Sequence, residues 1–132
     1  MIFLFDTNVL SERTKKKPNP NVEKFMAGIP AENVRVSSMV IAEICQGVEN
    51  NPTPALQTFL ADVLTLPVAD FGEFEALEWG RLTSAALASG LEIQTRDSII
   101  AATAKSRGWT VAARNVDDFK PLGVLVKNPF EN

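Results

Sequence analysis

The stretch Ile2-Phe3-Leu4-Phe5-Asp6-Thr7-Asn8-Val9-Leu10 decides the fold. Four consecutive apolar residues suit a strand buried on both faces, the kind found in parallel sheets covered by helices. The run stops at Asp6, and Asp6-Thr7-Asn8 can cap a short helix through Leu10. A buried strand therefore hands over to a helix with an acid at the junction.

The same handover recurs downstream. Lys15 to Pro20 is a charged loop, and Val22 to Ala27 reads as a brief helix closed by Gly28. Val34-Arg35-Val36 reads as a strand, followed by Ser37 and Ser38 as N-cap candidates. The next helix sets Val40, Ile41, Ile44 and Val48 on one face. Another helix is expected from about Pro54 to Leu64, then an extended Leu66-Pro67-Val68. Asp70 with Glu73 forms a capping-box-like start for a helix that carries Phe74, Leu77, Leu82 and Ala85 inward and stops at Gly90. Asp97 opens an alanine-rich helix ending at Gly108. Thr110-Val111-Ala112 is a strand, Arg114 to Pro121 a polar loop, and Val124-Leu125-Val126 a last strand. Helices alternating with short strands predict an α/β fold with a mainly parallel sheet.

Composition narrows the chemistry. With 132 residues the chain is expected to form one compact domain, residues 1–132. Its 13 basic and 16 acidic residues leave a net charge of −3, which argues against gripping nucleic acid by bulk positive charge. Histidine is absent, which removes Ser-His-Asp and Cys-His hydrolases and His-ligated zinc. One cysteine, Cys45, allows no internal disulfide, and no apolar run is long enough to span a bilayer. No signal peptide is read at the N-terminus, so the expectation is a cytoplasmic protein without membrane attachment.

A hydrolase built from this sequence must use carboxylates, hydroxyls, lysine or metal ions. In an open α/β sheet, ligands bind beyond the carboxyl ends of the strands. Asp6 follows the first strand, Asp117 and Asp118 follow the Thr110–Ala112 strand, and Asp97 opens a helix, where the dipole favours an anion. Glu43 lies about 60° of arc from Val40, at the edge of its helix's apolar stripe. Each acid alone has a plain structural role: Asp6 and Asp97 as caps, Glu43 as a solvated helix residue, Asp117-Asp118 as turn formers. Brought together they would repel, and a hard divalent cation with oxygen ligands relieves that repulsion. Such an ion also acidifies bound water and orients a phosphodiester.

Four segments carry a family resemblance: Phe5-Asp6-Thr7-Asn8-Val9-Leu10-Ser11-Glu12, Ala42-Glu43-Ile44, Asp97-Ser98-Ile99-Ile100-Ala101-Ala102-Thr103-Ala104 and Arg114-Asn115-Val116-Asp117-Asp118-Phe119. In this order the chain resembles VapC-type PIN-domain toxins, particularly their FitB-like branch. The closing Asn128-Pro129-Phe130 is similar to that branch's Asn-Pro-Trp ending. The resemblance implies a three-layer α/β/α domain that cleaves RNA, often tRNA, with Mg²⁺ or Mn²⁺. It assigns Asp6, Glu43, Asp97 and Asp118 as catalytic and metal-holding residues, with Asp117 and Asn115 as nearby substitutes for the last. It further implies a homodimer silenced by a cognate antitoxin whose segment fills the acidic groove. An arginine placed there would pair with Asp6 and Asp97 and compete with the ion. Two positions depart from the family pattern: Ala113 replaces a hydroxyl residue before Arg-Asn, and Arg96 stands where proline is common before the third acid.

Other residues are read more plainly. Lys15-Lys16-Lys17 is read as a solvated loop ahead of a guide for an RNA backbone, while Arg96 and Arg114 are divided evenly between phosphate contacts and surface salt bridges. Cys45 is an inert thiol, Glu78 and Arg81 a buried or interfacial ion pair, and Trp79 and Phe130 core or dimer contacts. Two other functions compete. A haloacid-dehalogenase-like phosphatase would need an acid where Asn8 stands and more chain for its cap. A non-catalytic binding module with the same fold would keep the partner contacts without turnover. For a crowded acidic site, Asp6→Asn and Asp97→Asn are each expected to stop cleavage while the domain stays folded, and relief of crowding can raise metal-free stability.

Overall fold

The computed structural model describes residues 1–131. Its strands are β1 (Phe3–Phe5), β2 (Val34–Ser37), β3 (Val68–Ala69), β4 (Thr110–Ala112) and β5 (Val126–Lys127). Its helices are α1 (Thr7–Leu10), α2 (Pro20–Ala27), α3 (Ser38–Asn50), α4 (Pro54–Val63), α5 (Glu73–Ala88) and α6 (Thr95–Arg107). The sheet runs in the order β3-β2-β1-β4-β5 with every neighbouring pair parallel, inside a three-layer α/β/α arrangement. The all-parallel sheet follows from the helical crossovers between strands, which bring each new strand back in the same direction.

β1 is the central strand, paired with β2 on one side and β4 on the other. Its Leu4 and Phe5 are fully buried, together with Val36 of β2 and Val111 and Ala112 of β4. Val9, Val40, Ile100 and Ala101 close on them from α1, α3 and α6 with no exposed surface. Each large apolar side chain removed from water in this way contributes about 1.5–3 kcal/mol. The chain order places β2 and β3 on one side of β1 and β4 and β5 on the other. That makes the carboxyl edge of β1 a switch point, where crevices open in sheets of this kind.

The local signals behave as expected around β1. Asp6 caps α1 by accepting a 2.7 Å hydrogen bond from Thr7 N, and Ser37 caps α3 through Val40 N at 3.2 Å. Gly108 ends α6 in the left-handed region, φ 71°, which a residue with a Cβ adopts only with strain. α2 begins earlier than expected, at Pro20, because Asn19 accepts from Asn21 N and Val22 N while Pro20 needs no donor partner.

α5 departs most from its sequence reading. Its N-cap is Gly72, not Asp70, and Glu75 Oε1 accepts from Gly72 N at 2.8 Å. Glu75 is itself buried, taking Arg107 of α6 at 3.4 Å, so the helix turns Leu82, Thr83 and Ala86 inward. Phe74 and Leu77 are 78% and 51% exposed, and Ala85 is also exposed. A carboxylate committed to both the cap and the neighbouring helix outweighs the apolar pattern. Nor do Glu78 and Arg81 form a buried pair: they stand 3.7 Å apart with Arg81 largely in solvent. The last strand begins at Val126, with Val124 buried and Leu125 mostly exposed just before it. Among the described residues no helix is long and apolar enough to cross a membrane.

Candidate active site

All four predicted acids lie at the carboxyl edge of the sheet. Asp6 leaves β1 there, anchored by its own N–H on Ala112 O of β4 at 2.9 Å. Its side chain is 5% exposed. Glu43 lies in the second turn of α3, which begins directly after β2, with a side chain 29% exposed. Asp97 lies in the first turn of α6, which starts at Thr95 rather than at the acid itself. Asp118 ends a 3-10 turn (Val116–Asp118) after β4. It is exposed, and its charge acts on Asp97.

Arg96 draws three of these acids to a single focus. Its Nε donates to Glu43 Oε2 at 2.5 Å, and its Nη1 donates to Asp97 Oδ1 at 2.7 Å. Nη2 donates to Asp6 Oδ1, with longer contacts from Nη1 to Asp6 Oδ2 at 3.4 Å and from Nη2 to Thr7 Oγ1 at 3.5 Å. Every nitrogen of the guanidinium is therefore engaged, each in a charge-assisted hydrogen bond to a different carboxylate. Burial acts to lower the Arg96 pKa, but the bonds to Asp6, Glu43 and Asp97 more than reverse this, so the group remains a fixed cation. Asp97 is shifted upward from 3.8: burial is the largest cause, Arg96 opposes it, and the charges of Asp118 and Asp6 add to the rise.

The sequence reading did not find this arrangement. Of the two readings of Arg96, phosphate contact or surface salt bridge, the structure gives salt bridges, but to three acids after β1, in α3 and in α6, with the side chain only 29% exposed. The one available signal was the replacement of the family's proline by arginine. The other basic candidate, Arg114, lies over the Phe130 ring at 4.5 Å. Its backbone is held by Asn8 Oδ1 and Asn128 Nδ2. Asp117 and Asn115 are exposed beside Asp118. Lys15 pairs with the buried Glu12 at 2.9 Å, while Lys16 and Lys17 are solvated. Trp79 is partly buried and donates to Ser98 Oγ at 2.9 Å, next to Asp97.

Among the described residues, no three acidic or cysteine side chains stand as a group that could hold a metal ion. The guanidinium occupies the point on which they converge. The donor set nevertheless fits a hard divalent cation, because every candidate atom is a carboxylate oxygen. Glu43 Oε1 is buried without a hydrogen-bond partner, an acceptor that Arg96 leaves unsatisfied. Beside the focus, a groove of about 420 Å³ is lined by Thr7, Ser11, Glu43, Leu56, Phe59 and Arg96, among others.

The sequence and the fold both have known relatives. The PIN domain family model matches residues 3–124. The chain is 32% identical to plasmid stability protein StbB of Pseudomonas syringae pv. tomato, over 98% of this chain and 99% of that one. It is 31% identical to toxin FitB of Neisseria gonorrhoeae (99% and 100% covered) and 30% identical to VapC ribonuclease Y4jK of Sinorhizobium fredii (98% and 99%). The FitAcB crystal structure from N. gonorrhoeae superposes with a TM-score of 0.88 at 32% identity, covering 99% of this chain and 100% of that one. VapBC-5 of Mycobacterium tuberculosis, a member of the VapBC family of toxin-antitoxin systems, gives 0.73 at 26% identity, covering 96% and 95%. With acids from β1, α3, α6 and the turn after β4 gathered at one sheet edge, the chain belongs to the PIN-domain family, among the VapC and FitB toxins.

Proposed function

We propose that this chain is the toxin of a toxin–antitoxin pair and acts as a metal-dependent endoribonuclease. One observation carries the reading. Asp6, Glu43 and Asp97, distant in sequence, point their carboxylates at a single focus on the sheet edge, with Asp118 close by. A structural role for each acid alone does not call for that convergence. The names of the relatives support RNA as substrate and an antitoxin as partner.

In this reading Asp6, Glu43, Asp97 and Asp118 hold Mg²⁺ or Mn²⁺. When bound, the ion acidifies a water molecule and offsets the charge gathered on the scissile phosphate. The protein's own contribution is placement. Thr7 N fixes the Asp6 carboxylate, α3 and α6 present Glu43 and Asp97 rigidly, and the groove beside Glu43 receives the RNA. The same groove takes the antitoxin segment, so inhibitor and substrate compete. The protein works as a cytoplasmic homodimer in which residues 1–132 form one nuclease domain.

The test is RNA degradation by the purified chain with Mn²⁺, Mg²⁺ or EDTA, beside Asp6→Asn and Asp97→Asn. Turnover that needs a divalent ion and falls by at least about 100-fold in both variants is expected. Unchanged turnover in either variant sinks the four-acid assignment. Partner capture without turnover under any ion identifies a non-catalytic module.

A further inference from the structure

The cation that the sequence reading assigned to an inhibitor's arginine is already supplied by the chain itself. We propose that Arg96 is a resident counter-ion that holds the acidic focus closed to divalent metal, so that ion entry and Arg96 withdrawal are one coupled event. The inference rests on the metal reading above and adds a gate to it.

The geometry makes the two cations mutually exclusive. A Mg²⁺ or Mn²⁺ ion must lie roughly 2.0–2.3 Å from each oxygen it takes. Arg96 Nε, Nη1 and Nη2 already occupy the facing positions of Glu43 Oε2, Asp97 Oδ1 and Asp6 Oδ1. The same oxygens cannot converge on an ion while a planar guanidinium lies between them. That accounts for the lack of a metal-holding group among the described residues even though the acids are drawn together. Removal of Arg96 alone would leave three carboxylates crowded and partly buried. The arginine thus keeps the metal-free domain intact as well as closed.

Withdrawal is feasible. Arg96 lies in the first turn of α6 on a flexible stem, and its side chain is 29% exposed, so it can swing toward solvent without moving the helix. Its replacement by a divalent ion exchanges one positive charge for two, and the unsatisfied Glu43 Oε1 offers the ion an oxygen that the guanidinium never engages. A site that binds metal only from an open minority state shows an apparent affinity reduced by the open fraction.

The experiment is calorimetric titration of the full chain with MnCl₂ at pH 8, comparing wild type with Arg96→Gln and Arg96→Lys. An open fraction of about 1–10% predicts that Arg96→Gln binds Mn²⁺ about 10- to 100-fold more tightly than wild type. Arg96→Lys keeps the charge without the fork, so it should fall between them, and it serves if the glutamine variant does not fold. A second readout is the Arg96 Nε–H resonance in ¹⁵N spectra. It should be shifted and protected in the metal-free protein and collapse toward the exposed-arginine position on addition of MgCl₂. Equal Mn²⁺ affinity in wild type and both variants overturns the gate while leaving the metal site standing. An Arg96 resonance unchanged at saturating Mg²⁺ does the same. Failure of all three proteins to bind Mn²⁺ removes the metal reading and this inference with it.

Discussion

Replacement of Asp6 by asparagine should destabilise the metal-free protein. That is the opposite of what a crowded acidic site without a counter-ion would do. Asparagine is nearly isosteric and keeps an oxygen for Thr7 N, so the α1 cap, about 1 kcal/mol, survives. What is lost is the charge facing Arg96. The Asp6 side chain is 5% exposed and that of Arg96 29%, so the pair is shielded enough to count as charge-assisted hydrogen bonding, about 1.5–3 kcal/mol. Arg96 keeps Glu43 and Asp97, and the asparagine oxygen still accepts a weaker bond. The net loss is therefore about 1–2 kcal/mol. For a chain of this length the melting temperature should fall by about 4–8 °C. The assay is urea and thermal unfolding in EDTA for wild type, Asp6→Asn, Arg96→Gln and the double variant. A coupling energy of about 1 kcal/mol or more between the two positions is expected. If Asp6→Asn is as stable as wild type or more so in EDTA, Arg96 does not stabilise this acid. Repulsion among the acids, rather than pairing with Arg96, would then set the stability of the metal-free site.

Asp97 should behave differently. Its folded pKa is raised from 3.8, chiefly by burial. The folded state therefore binds more protons than the unfolded chain as pH rises past 4, and the stability Asp97 contributes below its unfolded pKa is lost through its raised folded pKa. Asp97→Asn should remove that loss, so in EDTA its melting temperature gains on wild type from about pH 4 upward; a constant difference across pH 3–8 would contradict this. Saturating Mn²⁺ should raise the wild-type melting temperature by about 4–8 °C, and Glu43→Gln should at least halve the rise; a flat wild-type response up to millimolar Mn²⁺ would count against a metal site. Glu75→Ala should cost about 1–2 kcal/mol in urea unfolding through loss of the Gly72 cap, whereas Asp70→Ala should cost almost nothing; the reverse ranking would return the cap to Asp70.

What could be read in advance, and what could not, separates by the range of the interaction. β1, the Asp6 and Ser37 caps and the Gly108 stop depend on a few neighbouring residues, and each stands where its local chemistry put it. The four acids could be placed on one edge because a parallel sheet sends every strand's carboxyl end the same way. The buried face of α5 departs from its apolar periodicity because that pattern competes with Glu75, whose partners include Arg107 and Ser106 of α6. Nothing in residues 70–90 reveals those partners. Arg96 is the extreme case. Its bonds reach back 53 residues to Glu43 and 90 to Asp6, and no local pattern distinguishes an arginine turned inward from one turned to solvent. Yet the same proximity that makes Arg96 hard to read is what would give it a function. Its position beside Asp97 makes the cation an intramolecular competitor for the carboxylate focus, because the chain has already met the entropy of bringing it there. The pocket is thus neutralised in part before any metal or partner arrives. An inhibitor that inserts its own arginine must displace Arg96 or bind beside it, and the divalent ion faces the same competitor. Sensitivity of both ligands to one residue, Arg96, is what separates a built-in gate from a surface salt bridge that happens to lie nearby.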